Sequence, residues 1–467
     1  MWHFFKDFFI YGFTSILGKI AAIFLIPIYT SILSKEEYGA MALIISCYGI
    51  IDIIANLNIH SGIARDYYEK GINRIKLVST GFYSILGLSI TTTIILLSFN
   101  TFLFYNVLDL KEEFYSSFIV MLFTIPVTCL HTYFMVLTRY KRKSILFSIG
   151  TFISLIISIS ITIYGVVFLR IGIISYFIAS FISGGASTLY YYFINKDLIS
   201  LSYDPAYIKR ALAFSLPTLP AILAGWIDTS FGQFLIGKYI SLSSLGVYSI
   251  AISLSSIFTL ITTAFMNVWT PFLYENYQKE NFKKDIKQLF FIFVISLIII
   301  SVTLSVFSKE IILLLTNSSY IDASRYITLL CIPMCFYLLF PFASSGVSIR
   351  RETKYIGISY VIGSIINFSF LMLTIKTFGV ICVPICLTFS RIFTYFFLYN
   401  KSQQRINYSL PNKLLILFII IQIISFTILK YSITTRIIFI ICFYISTFLY
   451  ISKHISLIQI TKLLNTK

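Results

Sequence analysis

Long apolar runs recur from one end of the chain to the other, each close to the length that a helix needs to cross the hydrocarbon core of a bilayer. Fourteen are recognised: 8–33, 39–64, 77–100, 115–138, 144–169, 172–194, 211–236, 245–270, 288–307, 327–349, 355–375, 379–400, 413–429 and 434–452. They are too long and too uniformly apolar for the alternating strands of a membrane barrel. Backbone groups in lipid must also bond within their own segment, so the pattern predicts an all-α integral membrane protein with about fourteen transmembrane helices. The first run starts close to Met1, with no short apolar core followed by a small-residue cleavage site. It is expected to be a retained span and not a signal peptide.

Composition agrees with the pattern. Of 467 residues, 58% are hydrophobic and 12% charged, too little polar surface for a soluble chain of this size. The formal net charge of +18 invites a nucleic-acid reading until its placement is examined. With the N-terminus in the cytoplasm, inside segments hold twenty-five of the 36 lysines and arginines, outside segments hold nine, and Lys19 and Arg391 lie within spans. The bias recurs at loop after loop, which predicts that both termini are cytoplasmic. The excess therefore reports topology, with some attraction to anionic lipid, and no nucleic-acid partner is implied. All seven cysteines fall within apolar runs, where cysteine packs as a small hydrophobe. No His or carboxylate accompanies them at ligand spacing, so no metal is expected. There is also no H-E-x-x-H, Walker A loop or G-x-S-x-G. No catalytic residue, enzyme activity or cofactor is expected, and uphill transport would draw on a gradient of H+ or Na+.

The chain repeats. Shifted by 207 residues, Ser34 and Gly39 meet Ser241 and Gly246, Pro126 meets Pro333, and Gly172 meets Gly379. Six spans per copy make the copies parallel, related by an axis along the membrane normal. The expected organisation is a six-helix lobe at 1–194, a cytoplasmic linker at 195–210, a second six-helix lobe at 211–400, and two additional helices with a cytoplasmic tail at 401–467. Two such lobes around a central cavity suit alternating access. Pro217 and Pro220 open span 7 and are candidates for a bend that gates the cavity.

Four formal charges lie deep within spans: Lys19, Asp52, Asp228 and Arg391. At about 1.5 Å per residue, all lie near the midplane. Ionisable residues there are costly and seldom face lipid. Two arrangements suit them, an ion pair between Lys19 and Asp52 on adjacent helices or the wall of a hydrated cavity, and the two are compatible. Asn56, Asn58 and His60 make the lower half of span 2 polar, with Arg65 at its cytoplasmic mouth. His131 stands alone in span 4 and is expected to be a satisfied buried group.

Leu25-Ile26-Pro27-Ile28-Tyr29-Thr30-Ser31-Ile32-Leu33-Ser34-Lys35-Glu36-Glu37-Tyr38-Gly39 resembles the opening of polysaccharide-type flippases. Trp226-Ile227-Asp228, followed by Leu245-Gly246-Val247-Tyr248-Ser249-Ile250-Ala251, resembles their second-half signature. Over essentially its whole length the chain resembles the O-antigen flippase family (Wzx-type) of the multidrug/oligosaccharidyl-lipid/polysaccharide superfamily. The resemblance implies two six-helix lobes around a central cavity plus two C-terminal helices. It implies movement of an undecaprenyl-diphosphate-linked oligosaccharide from the inner to the outer leaflet of a bacterial plasma membrane, beside other polysaccharide assembly proteins. Lys19 and Arg391 would contact the diphosphate, Arg65 would receive the head group at the cytoplasmic side, and Asp228 would couple or gate. Two acids beside two bases at the midplane depart from a strongly basic cavity. Three rivals stand beside this expectation. One is a multidrug antiporter of the same superfamily using Asp52 and Asp228; another is a flippase for a cell-wall or teichoic precursor. The third is a membrane glycan polymerase, which the short outside loop at 308–326 disfavours.

Overall fold

The computed structural model of the protein describes residues 2–454, in which helices are joined by short turns and no strand occurs. In chain order the helices are α1 (Trp2–Ile32), α2 (Lys35–Asn56), α3 (Ile59–Asp66), α4 (Arg74–Ser98), α5 (Tyr115–Tyr140), α6 (Ser144–Ile163) and α7 (Ile174–Asn195). There follow α8 (Pro205–Ser215), α9 (Leu219–Trp226), α10 (Gly232–Tyr239), α11 (Leu242–Ser255), α12 (Ile257–Asn276), α13 (Phe282–Val306) and α14 (Ser308–Leu315). The chain continues with α15 (Ala323–Leu338), α16 (Phe340–Ala343), α17 (Ser345–Ile349), α18 (Lys354–Phe378), α19 (Cys382–Gln403), α20 (Lys413–Ile428) and α21 (Ile433–His454). Helix stands at every expected span. Among the described residues, ten helical segments are long and apolar enough to cross a membrane, one of them (Lys354–Gln403) covering two expected spans. Leu17–Ile32 and Lys413–Ile428 are shorter apolar helices. The tail expected beyond residue 454 lies outside the described residues.

The helices pack as two units, one of residues up to Ser253 with Tyr360–Cys386, the other of Leu254–Ser359 with the residues from Leu387 onward. The lobe limits read from the repeat are a different partition: residues 211–253 and 360–386, which the repeat assigns to the second lobe, pack within the first unit. In that unit α7 lies against α5 and α6, α4 against α5, α2 against α5 and α10, and α3 against α8. In the second unit α13 meets α15, α20 and α21. Ser305 bonds Gln422 at 3.0 Å, and buried Arg436 clasps Glu310 at 2.5 and 2.8 Å and the Val306 carbonyl at 2.8 Å. These polar contacts fasten the last two helices to α13, where apolar burial alone distinguishes poorly between protein and lipid.

Local chemistry in both copies of the repeat follows one plan. Ser34 caps α2 by accepting the Glu37 N–H, while the Glu37 carboxylate accepts the Ser34 N–H, a reciprocal capping box. At the matching position Ser241 accepts the Ser244 N–H ahead of α11. Gly172 and Gly379, which precede matching helices, both take the left-handed conformation, with φ of 69° and 65°. Gly39 and Gly246 face each other. A Cβ on Gly39 would strike the Leu242 carbonyl, and one on Gly246 would strike the Lys35 carbonyl. Lys35 and Leu242 are themselves 207 apart, so each copy makes the other's contact. That reciprocity is the signature of a two-fold axis, here internal to one chain.

Backbone cannot yield at this crossing. Gly39→Ala and Gly246→Ala are each expected to lower stability by about 1–3 kcal/mol, as overpacking does. Gly87→Ala, where an added Cβ meets nothing, is expected to leave stability unchanged or slightly raised. Thermal unfolding of the purified variants in one detergent checks this, and equal behaviour of all three would remove the close crossing.

Candidate functional site

The second expected span is broken. Helix α2 stops at Asn56, and Leu57 and Asn58 both turn left-handed, with φ of 46° and 55°, before α3 begins at Ile59. Freed backbone groups at such a depth need partners. Asn56 supplies one, its side-chain oxygen accepting the Asn58 N–H at 2.8 Å, while its amide donates to the Asp52 carbonyl at 2.7 Å. Asn58 accepts from Ser61 at 2.6 Å and donates to Thr218 at 2.9 Å. Thr218 lies in a second break, the 3-10 turn Leu216–Thr218 that carries Pro217, with Pro220 in the first turn of α9. The span in which Pro217 and Pro220 were expected to produce a bend is interrupted there. The interruptions of α2–α3 and α8–α9 thus meet through one side-chain hydrogen bond.

The break re-aims α3, which packs closely on α8 with Gly62 against the Ala211 backbone. Its exposed side then lines a cavity of about 800 Å³ together with the end of α5, the last turn of α8 and the 3-10 turn that follows it. Arg65, Arg139, Arg142, His60, Asn58 and Thr218 supply its polar wall, and no carboxylate is among its lining residues. Arg65 lies over the Phe214 ring, its guanidinium carbon 5.0 Å from the centroid. The left-handed turn at Arg142 (φ 55°) swings that side chain to the cavity at the end of α5. Tyr68 completes the rim by donating to the Tyr140 carbonyl. Two acids nearby in sequence are held elsewhere. Asp66 is buried and pairs with Arg210 at 2.8 Å, and Glu69 pairs with the same guanidinium. Burial nonetheless raises the Asp66 pKa above the ordinary range, against the opposing pull of Arg210.

Of the six residues singled out from sequence, His60 and Arg65 line this cavity. Asp52 does not. It accepts from Tyr48 at 3.3 Å, Asn56 at 3.1 Å and the Cys129 thiol at 3.7 Å, and Lys19 is not among its partners. Lys19 is half-buried on α1. Asp228 is 8% exposed and sits on a π-helical turn, Ile227–Phe231, between α9 and α10, where Asn367 donates to it at 3.2 Å. Arg391 belongs to the second unit, where its guanidinium carbon lies 4.9 Å from the Tyr337 ring centroid and 5.7 Å from that of Phe340. His131, expected to be a satisfied buried group, is half-buried and bonds Ser187 at 2.8 Å. Sequence reasoning passed over Arg139 and Arg142, which it counted only toward topology, and Thr218. The available signals were a run of four cations in five residues at the end of α5 and a polar residue between two prolines.

With the geometry in hand, comparison with known proteins is decisive on family. The family described as polysaccharide biosynthesis protein matches residues 28–325, well over half of the chain. The chain belongs to the polysaccharide biosynthesis protein family. No curated protein matches its sequence. Among solved structures, it is similar to the lipid II flippase MurJ in an inward closed conformation, with a TM-score of 0.73 at 16% identity over 95% of this chain and 99% of that one. It is also similar to an inward-facing multidrug resistance transporter of the MATE family and MOP superfamily, with a TM-score of 0.67 at 16% identity over 83% and 94%. An outward-facing structure of such a transporter gives 0.62 at 16% identity over 86% and 95%. At this identity the likeness shows a shared fold, and with ten helical segments long and apolar enough to cross a membrane among the described residues the chain is a multi-pass membrane protein.

The left-handed turn gives a direct test. Asn58→Gly keeps the backbone geometry but loses two side-chain bonds, each worth about 1 kcal/mol. Asn58→Ala adds a Cβ in a left-handed conformation, which costs about 1–2 kcal/mol more. The expected order of thermal stability is wild type, then the glycine variant, then the alanine variant. An alanine variant more stable than the glycine one would mean that the span runs through unbroken.

Proposed function

We propose that this polysaccharide biosynthesis protein is a flippase. Its substrate is an undecaprenyl-diphosphate-linked oligosaccharide, such as an O-antigen repeat unit of lipopolysaccharide. It moves that substrate from the inner to the outer leaflet of the bacterial plasma membrane by alternating access, with both termini cytoplasmic. Three guanidiniums on one cavity without a carboxylate in its wall are the observation that carries the proposal. Arginine presents planar, paired donors that match phosphate oxygens, and its charge persists at any physiological pH. Asn58, Ser61 and Thr218 offer neutral donors and acceptors beside them, suited to sugar hydroxyls. The volume lies within the range of small-molecule pockets, so the cavity holds the diphosphate and the sugar next to it, with the rest of the glycan outside. A drug-like organic cation would meet only repulsion from these arginines, which weighs against the antiporter alternative.

Lys19 serves in this proposal as a further cationic contact for the diphosphate on its path, and the proline break at 217–220 as the element that bends. Asp228 is the candidate for coupling to H+ or Na+. Support for that role comes from its π-helical turn, a feature frequent at functional sites, and from Asn367. Asn367 is 1% exposed, and its side-chain oxygen has no hydrogen-bond partner among the described residues, although its amide bonds Asp228. An ion held by that oxygen and the carboxylate would supply the oxygen's partner. Other polysaccharide assembly proteins are the natural partners.

Complementation of a flippase-null strain tests the proposal. Charge-assisted hydrogen bonds are worth about 1.5–3 kcal/mol each, so Arg65→Gln and Arg139→Gln are each expected to reduce transport about 10–100-fold at normal membrane levels. The triple variant with Arg142→Gln should abolish surface glycan, and Asp228→Asn should remove ion-gradient dependence. Full glycan display by the triple variant would overturn the substrate assignment. Organic-cation resistance from the wild-type chain, without effect on glycan, would favour the antiporter.

A further inference from the structure

A second cluster of cations lies in the other unit, where α18 begins and α19 ends. Three cationic groups converge on one ring. Lys354 Nζ lies 5.3 Å, Lys401 Nζ 5.5 Å and the Arg405 guanidinium carbon 4.8 Å from the centroid of Tyr355. Arg350 and Arg351 immediately precede them in the turn before α18. One carboxylate answers the cluster: Glu352 accepts from Arg405 Nε at 2.9 Å and Nη2 at 2.7 Å. No ion pair to Lys354 or Lys401 occurs among the described residues.

The arrangement is unfavourable as it stands. Each cation–ring contact at an exposed site is weak, while groups that share one centroid stand close enough to repel one another. The amino end of a helix carries positive partial charge that favours acidic residues, yet α18 has no acid in its first turn. An anion seated on the Tyr355 side of Lys354 and Lys401 would remove both penalties. Apolar surface adjoins the site. Ile358 is 42% exposed and lies one turn along α18 from Lys354, so the two share a helix face. A free anion has no use for that side chain, whereas a phospholipid presents a phosphate and an acyl chain at this spacing.

We infer that Tyr355, Lys354, Lys401 and Arg405 form a binding site for the phosphate of an anionic phospholipid whose acyl chain runs along Ile358. Glu352 offsets the charge of Arg405, and the two lysines supply the charge that selects an anionic over a zwitterionic headgroup. The site shares no residue with the arginine cavity and does not depend on the identity of the transported substrate.

Native mass spectrometry of the full-length chain, titrated with phosphatidylglycerol or phosphatidylcholine, reads the site directly. Phosphatidylglycerol should be retained preferentially. A juxtamembrane lysine changes affinity for anionic lipid about fivefold, so the Lys354→Gln/Lys401→Gln variant should bind phosphatidylglycerol about thirty-fold more weakly, with phosphatidylcholine binding unchanged. Glu352→Gln removes one negative charge and should strengthen phosphatidylglycerol binding, which keeps the test open should the double variant fail to fold. Unchanged phosphatidylglycerol affinity in the double variant, or weaker binding by Glu352→Gln, overturns the inference. Displacement of the lipid by inorganic phosphate at equal concentration would also overturn it, marking a free-anion site instead.

Discussion

A helix that stops inside a bilayer must find new partners for the backbone groups it releases, because lipid offers none. That constraint governs the candidate site. Asn56 and Asn58 answer it at the end of α2, and the hydroxyl of Thr218 joins their network from a break in another span. His60, Ser61 and Arg65 share one face of α3, and the break sets where that face points. The polarity of this stretch thus has a structural cause and a functional consequence. The same asparagine side chain that steadies the turn also forms part of the cavity wall.

Charge is managed by separation. Acids near the cavity are drawn onto Arg210, leaving Arg65, Arg139 and Arg142 without a carboxylate among the residues lining it. Cations buried elsewhere are settled by other means. Arg391 rests on Tyr337 and Phe340, and Arg436 is clasped by Glu310. For Glu310, burial acts to raise the carboxyl pKa, but the hydrogen bonds from Arg436 and the backbone outweigh it and hold the group below its usual range. Arginine therefore does two jobs in this chain, fastening helices where a carboxylate clasps it and facing a cavity whose lining residues include none.

Much of this was legible in the residues. Apolar run length marked the helices, and the 207-residue offset matched Ser34 with Ser241, Gly172 with Gly379 and Gly39 with Gly246, whose capping, left-handed backbone and close crossing only the structure shows. A helix at the sixth expected span was legible by length, although α7 is not among the segments apolar enough to cross a membrane; it buries Ser183, Gly184, Ser187 and Tyr191. The break at Leu57–Asn58 was not legible. Leucine in a left-handed conformation has no local preference behind it, and the bond from Asn58 to Thr218 joins residues 160 apart in sequence. Asp52 looked like a partner for Lys19 by depth alone, but helix rotation turns it toward Tyr48 and Cys129. Arg139 and Arg142 were hidden by their own usefulness as topology markers, since a loop cation and a cavity cation look alike until the backbone turn at Arg142 is seen.

The central claim is that the arginine cavity is open to water and takes a diphosphate. Its most direct test uses Ser61→Cys in a chain whose native cysteines are replaced by alanine, reconstituted in vesicles and challenged with a membrane-impermeant thiol reagent. Labelling should proceed in the absence of ligand and be blocked by an isoprenyl diphosphate but not by the matching isoprenyl alcohol. Labelling that is indifferent to the diphosphate, or blocked equally by the alcohol, would contradict the account.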